Sequence, residues 1–179
     1  MDTATTLLSK LEELFEVLPL HKVMGSLVVK SQASASHLQS GEVVRLHGIE
    51  HSDQISELAV LAHHDAVSIV SDYAEVLAGL WLYVDDLDRS HTISQDIHTP
   101  TGSYWHAIMH RREGDFWNAK YWFRKVGNHP VIGLVGYDPS EFVDACERDR
   151  GENSPELLEL QRREWKALFE WCLKEAGLA

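Results

Sequence analysis

Leu7, Leu11, Leu14, Phe15 and Leu18 recur at the i, i+4, i+7, i+8 and i+11 spacing that lines one face of a helix, and Pro19 ends it. From Leu20 to His51 this period gives way to Ser, Gly and Gln, with short β-branched runs at Leu27-Val28-Val29 and Val43-Val44. That stretch predicts a long loop carrying a small β-hairpin near residues 23–47. Ser52 then caps a helix with Ile55, Leu58, Ala62, Ala66 and Ile69 along one stripe. Asp72 and Glu75 have the spacing of a capping box ahead of a second helix with Val76, Leu77, Leu80 and Tyr83. A turn at Asp85-Asp86 leads to a short helix from Leu87 to about Gln95. After the breaker cluster Thr99-Pro100-Thr101-Gly102, a helix near Tyr104 to Arg112, a Gly114-Asp115 turn and a helix near Phe116 to Val126 form a hairpin. Gly127, Pro130, Gly133 and Gly136 predict an irregular stretch, and Asp138-Pro139-Ser140 opens a helix over Glu141 to Arg148. The last helix has Ser154 as cap, Pro155 in its first turn, an apolar stripe of Leu158, Trp165, Leu168, Phe169 and Cys172, and Gly177 as its stop. The expectation is an all-α fold of antiparallel helical hairpins in a single domain spanning 1–179.

Composition narrows the function classes. The chain of 179 residues is 44% hydrophobic and 25% charged, and no run approaches the ~18 to 20 apolar residues of a membrane span. Its start carries acid early and has no long apolar block, so a cytoplasmic protein without a secretory signal is expected. A net charge of -12 works against a phosphate backbone, which proteins bind largely through Lys and Arg, so nucleic acid is not an expected partner. Cys146 and Cys172 stand apart with no CxxC spacing and read as reduced thiols near the core. No Gly-x-Ser-x-Gly elbow and no GxxxxGK[ST] loop occurs, which removes the familiar nucleophilic hydrolases and nucleotide-binding folds.

The segment Ser103 to Pro130 holds far more bulky and titratable side chains than folding alone requires. Within it, Ala107, the Gly114-Asp115 turn, Phe116, Ala119, Phe123, Val126 and Pro130 have spacings that resemble a tetratricopeptide hairpin. Ala78, Asp85-Asp86, Leu87 and Ser90 resemble a degenerate copy of it. The offset from Ala78 to Ala107 is shorter than the roughly 34 residues of that repeat, so the resemblance implies tetratricopeptide-like packing rather than a repeat array. The longer run through Leu80-Trp81-Leu82-Tyr83, Asp85 to Gln95, Trp105 to Asp115 and Asn118 to Arg124 also resembles a family of microbial hypothetical proteins without an established activity. That likeness points to the location of a site and implies nothing about its chemistry.

His106 and His110 stand one helical turn apart, with Glu113 three residues further on, so two imidazoles and a carboxylate share one stripe. A metal needs a further ligand from a neighbouring helix. The natural donor is the preceding short helix, where Asp88, His91 and Gln95 share a face. Arg111, Arg112 and Arg124 flank the stripe. Trp117, Tyr121 and Arg124 form a line of their own on the second helix, a combination suited to planar or anionic ligands. In the plainer reading the histidines stack on Trp or bond carboxylates to hold the hairpins together, Arg112 and Lys125 pair with exposed acids, and Trp122 and Phe123 are core. His63-His64-Asp65 resembles the histidine–aspartate signature of helical metal-dependent phosphohydrolases, with His37 as a possible partner upstream.

The favoured expectation is a polar pocket between two hairpins for a small polar or anionic molecule. His91, His106, His110 and Glu113 form its floor, and Arg111, Asn118, Tyr121 and Arg124 its rim. If the protein is an enzyme, His106 or His110 acts as general base or metal ligand, a divalent metal being the candidate cofactor. Two alternatives stand beside it: a tetratricopeptide-like module whose groove holds a peptide or protein partner, and a metal-dependent hydrolase.

Overall fold

The structure, a computed structural model, describes residues 3–29 and 53–179. Their order is α1 (Thr3–Val17), a 3-10 turn (Leu20–Lys22), α2 (Asp53–Ile69), α3 (Ala74–Tyr83), α4 (Leu87–Ser94), α5 (Pro100–Glu113), α6 (Phe116–Val126), α7 (Pro130–Val135), α8 (Pro139–Asp149) and α9 (Pro155–Glu175), with no strand among the described residues. The fold is all-α. Most of the expected β-hairpin near residues 23–47 lies outside the described residues, as do Ser52 and His37; residues 23–29, its start, form no strand.

Consecutive helices pair as α1 with α2, α3 with α4 and α5 with α6, and α9 packs across α3 and α7. Helix α5 is the axis of the molecule. It contacts α3, α4 and α6, and every residue from Thr101 to Arg112 is buried. A helix surrounded on all sides has no face on which to leave polar groups in water, so each of its polar side chains needs a partner from a neighbour.

Local chemistry explains where helices begin. Helix α5 starts four residues before the expected Tyr104, because the apparent breaker cluster is its cap: the Gly102 amide donates to Thr99 Oγ1 at 2.9 Å, and Pro100 occupies the first turn, where it forfeits no hydrogen bond. Gly102 is required there, since a Cβ would run into the side chain and carbonyl of Ile97. Gly114 ends the helix in the left-handed conformation at φ 86°. Asp115 caps α6, accepting from the Asn118 amide at 3.1 Å. Helix α3 lacks the capping box expected of Asp72 and Glu75. Tyr73 is its cap residue and no side chain bonds the first turn, because Glu75 accepts from Thr99 Oγ1 instead, at 2.6 Å. Helix α7 replaces the expected irregular stretch, opened by His129 and Pro130 and stopped by Gly136.

The core joins α1, α3, α5 and α9. Gly79 on α3 lets Trp105 and Phe169 approach so closely that a Cβ would stand 2.8 Å and 2.9 Å from their rings. Trp165 donates its indole N–H to the Gly79 carbonyl at 2.9 Å, and Phe15 meets Tyr83, Trp165 and Phe169 edge to face. Ala107 and Ala119, both fully buried, lie at the α5–α6 seam beside Tyr104 and Phe123.

Candidate functional site

Two polar clusters grow from the last turns of α5. The first belongs to the arginines. Arg111 is fully buried and donates from Nη1 and Nη2 to the two carboxylate oxygens of Glu164 on α9, at 3.0 and 2.5 Å, with its guanidinium 4.2 Å above the Phe142 ring. Tyr137 donates to the same carboxylate and shares a 2.6 Å hydrogen bond with Tyr104. Burial, together with the Glu164 charge, pushes the Tyr137 phenol well above its ordinary range. Arg112, also fully buried, pairs with Asp85 and donates to the Ser26 carbonyl at 3.1 Å.

Both arginine expectations are therefore corrected. Arg111 is absent from any ligand rim, and Arg112 is no exposed partner of Glu113 or Asp115. The physical reason is the all-round burial of α5, which forces each guanidinium onto a buried carboxylate.

The second cluster gathers the histidines. His106 and His110 on α5 face His91 on α4, with ring centroids 4.7 Å (91–106), 5.2 Å (91–110) and 4.7 Å (106–110) apart, all edge to face. One ring nitrogen from each lies within 4.8 Å of the others. His106 and His110 are 2% and 6% exposed, while His91 is half-buried. Outer contacts fix the rings: Ser94 Oγ meets His106 Nδ1 at 3.2 Å, and His110 Nδ1 meets Glu113 Oε1 at 2.6 Å. Those bonds leave Nε2 of both α5 rings to ligate.

Electrostatics keep His106 and His91 short of protons. Burial, then the neighbouring His110 and His91 and the Lys125 charge, lower His106 to about 3. Burial and His110 lower His91, while Glu113 and Asp88 act the other way. Neutral imidazole is the form that binds metal.

Helix α6 supplies a wall. Trp122 lies against His106 with centroids 4.2 Å apart, and Lys125 Nζ stands 4.2 Å over the Trp122 ring and 4.8 Å from that of Tyr121. Tyr121 stacks on the exposed Trp117 at 6.1 Å, and Arg124 lies 5.7 Å from the Tyr121 ring. Asn118 is held by Asp115, donating from Nδ2 at 2.6 Å. Glu113, Asp115 and His110 also offer ligand atoms within 4.8 Å of one another, although Asp115 already serves as the α6 cap.

The sequence pattern thus brings His91, His106, His110 and Glu113 together, with Asn118, Tyr121 and Arg124 on α6 and Arg111 elsewhere. It missed Ser94, Trp122 and Lys125. The signal was present in the i, i+3, i+7, i+10 spacing of Asp115, Asn118, Trp122 and Lys125, which places Trp122 and Lys125 on the same stripe as Asn118. Gln95 turns away, bonding the Thr92 carbonyl at 3.4 Å. His63 and His64 also separate: His63 is buried, bonds the Leu80 carbonyl at 2.9 Å and packs on Trp81, whereas His64 is exposed. That pair builds no centre among the described residues.

Clefts of about 490, 320 and 500 Å³ lie on other surfaces, none bordered by the three histidines. Comparison with protein-family models, curated proteins and solved structures finds no match for this chain.

Proposed function

We propose that His91, His106 and His110 hold one divalent transition-metal ion and that the chain acts as a metal-dependent enzyme on a small molecule approaching past His91 and α6. The observation that carries this reading is the convergence of three imidazoles from two helices, with the outer nitrogens of His106 and His110 anchored by Ser94 and Glu113. Rings with centroids 4.7 to 5.2 Å apart leave no room between them for an organic ligand. An ion fits: tetrahedral zinc, at about 2.0 to 2.1 Å from each nitrogen, holds its ligand nitrogens roughly 3.3 Å apart. Small ring rotations close the remaining distance. Three protein ligands leave a fourth position for water or substrate, the arrangement of catalytic rather than structural sites. A metal there supplies a Lewis acid, and Glu113 holds the His110 ring in the ligating tautomer.

The test is calorimetric titration of zinc, manganese and ferrous iron into chelator-treated protein, with His91→Ala, His106→Ala and His110→Ala beside it. One ion per chain is expected for the wild type, with a rise in melting temperature of about 5 to 10 °C at roughly a hundredfold excess over Kd. Each alanine variant is expected to lose that response while keeping its helical circular dichroism. Wild-type protein that binds none of the three metals overturns the reading.

A further inference from the structure

Lys125 and Arg124 are exposed cations in the last turn of α6, beside the histidine cluster. In a chain of net charge -12, neither has a carboxylate within 4.0 Å among the described residues, which they share with Lys22, Lys174, Arg148, Arg150, Arg162 and Arg163, but these two alone of that group lie over aromatic rings. Both are exposed, and both rest on aromatic rings, Lys125 on Trp122 and Tyr121 and Arg124 on Tyr121. Trp122 in turn touches His106. Beyond them the ledge continues outward through Tyr121, 37% exposed, to Trp117, 73% exposed, the two rings lying nearly parallel at 8°.

Solvent-exposed indole and phenol rings are costly surface, and ammonium and guanidinium groups held above them are ready to meet an anion without first releasing an internal partner. The arrangement therefore offers charge at one end and a flat apolar surface at the other, directly beside the three imidazoles. We propose that the α6 ledge of Trp117, Tyr121, Trp122, Arg124 and Lys125 is the substrate subsite of the histidine centre, and that the substrate is a small organic carboxylate with a planar or apolar body. Its carboxylate meets Lys125, assisted by Arg124, and its body lies along Tyr121 and Trp117. This inference rests on the metal reading only for the word substrate; the ligand chemistry follows from α6 itself.

The zinc-loaded full chain is titrated with benzoate, inorganic phosphate and benzyl alcohol, followed by calorimetry and tryptophan fluorescence, and zinc content is read on the same samples. Benzoate is expected to bind at least tenfold tighter than phosphate, which lacks the flat body, and than benzyl alcohol, which lacks the charge. Lys125→Met is expected to weaken benzoate at least tenfold with zinc content unchanged, and Lys125→Arg to restore most of the loss. Trp117→Ala is expected to weaken benzoate and leave phosphate as it was. Benzoate no tighter than either control, or indifferent to Lys125→Met, overturns the proposal. If the chain takes up no zinc, the metal reading falls by itself, and the same comparison on zinc-free protein still decides this one.

Discussion

Arg111 and His110 are adjacent on one helix, yet they belong to opposite kinds of polar cluster. Around Arg111 every charge has met its complement: a bidentate carboxylate from Glu164, a phenol from Tyr137, and an aromatic face from Phe142. Around His110 like is packed against like, three imidazoles sharing one space, with a half-exposed member and a single carboxylate at the back. The first cluster is buried and charge-paired, although Arg111 Nε has no hydrogen-bond partner among the described residues. The second brings one ring nitrogen from each of three histidines within 4.8 Å of the others. Density of polar residues marks both equally, and only charge complementarity separates a device for holding helices together from a candidate site.

The largest expected effect probes the first cluster. Arg111→Ala leaves Glu164 buried and uncompensated and is expected to cost about 3 to 5 kcal/mol in denaturant unfolding. The double variant Arg111→Met with Glu164→Leu is expected to recover most of that, since removing both charges together leaves no buried charge unpaired and only one hydroxyl proton of the Tyr104–Tyr137 pair without its acceptor. His110→Ala, by contrast, is expected to lower metal-free stability by no more than about 1.5 kcal/mol, the scale of one hydrogen bond. Equal losses for Arg111→Ala and His110→Ala in metal-free protein would erase the distinction.

A histidine outside both clusters sharpens it. His63 is buried as a neutral ring, lowered to about 4 by burial, with its bond to the Leu80 carbonyl acting in the opposite sense. Its folded pKa is below the ordinary 6.5, so the unfolded chain takes up the proton first. Stability is therefore expected to fall as pH drops from about 6.5 towards 4 and to level off below, by about 3 kcal/mol from this residue. Urea midpoints for wild type and His63→Gln across that window check it: the variant loses the His63 share of the slope, and the slope that remains belongs to His106, His91 and His129, which burial also lowers.

The smallest effect concerns the outer anchors of the histidines. Glu113→Gln is expected to weaken metal binding by about 10- to 100-fold, through loss of His110 orientation, and to leave the unfolding midpoint of metal-free protein nearly unchanged. Ser94→Ala is expected to act in the same direction on His106. Competition titration with a zinc indicator measures both.

How much of this was legible in the sequence follows the same division. Helices α1, α6 and α9 are written in their apolar stripes, and Gly114-Asp115 marks the hairpin turn at the residues observed. His91 could be named as the third donor because an eight-residue helix leaves few faces to choose from. The α5 start was hidden because Thr99-Pro100 reads equally as a stop or as a cap, and α7 because three glycines mask a single turn-and-a-half helix. The arginines misled because their partners, Asp85 and Glu164, stand 27 and 53 residues away in the chain. No local pattern reports a pairing over that distance. Glu164 and Gln161, both fully buried, occupy positions on α9 that look like a solvated face until Arg111 of α5 meets the first and the Met24 and Ser26 carbonyls meet the second.

The central claim is tested most directly by anomalous scattering from a crystal of the full chain soaked in zinc. The account requires a single strong peak about 2.0 to 2.1 Å from one ring nitrogen each of His91, His106 and His110, with Glu113 remaining on His110 Nδ1. A crystal that shows no peak among those three rings, with zinc present in the soak, contradicts it.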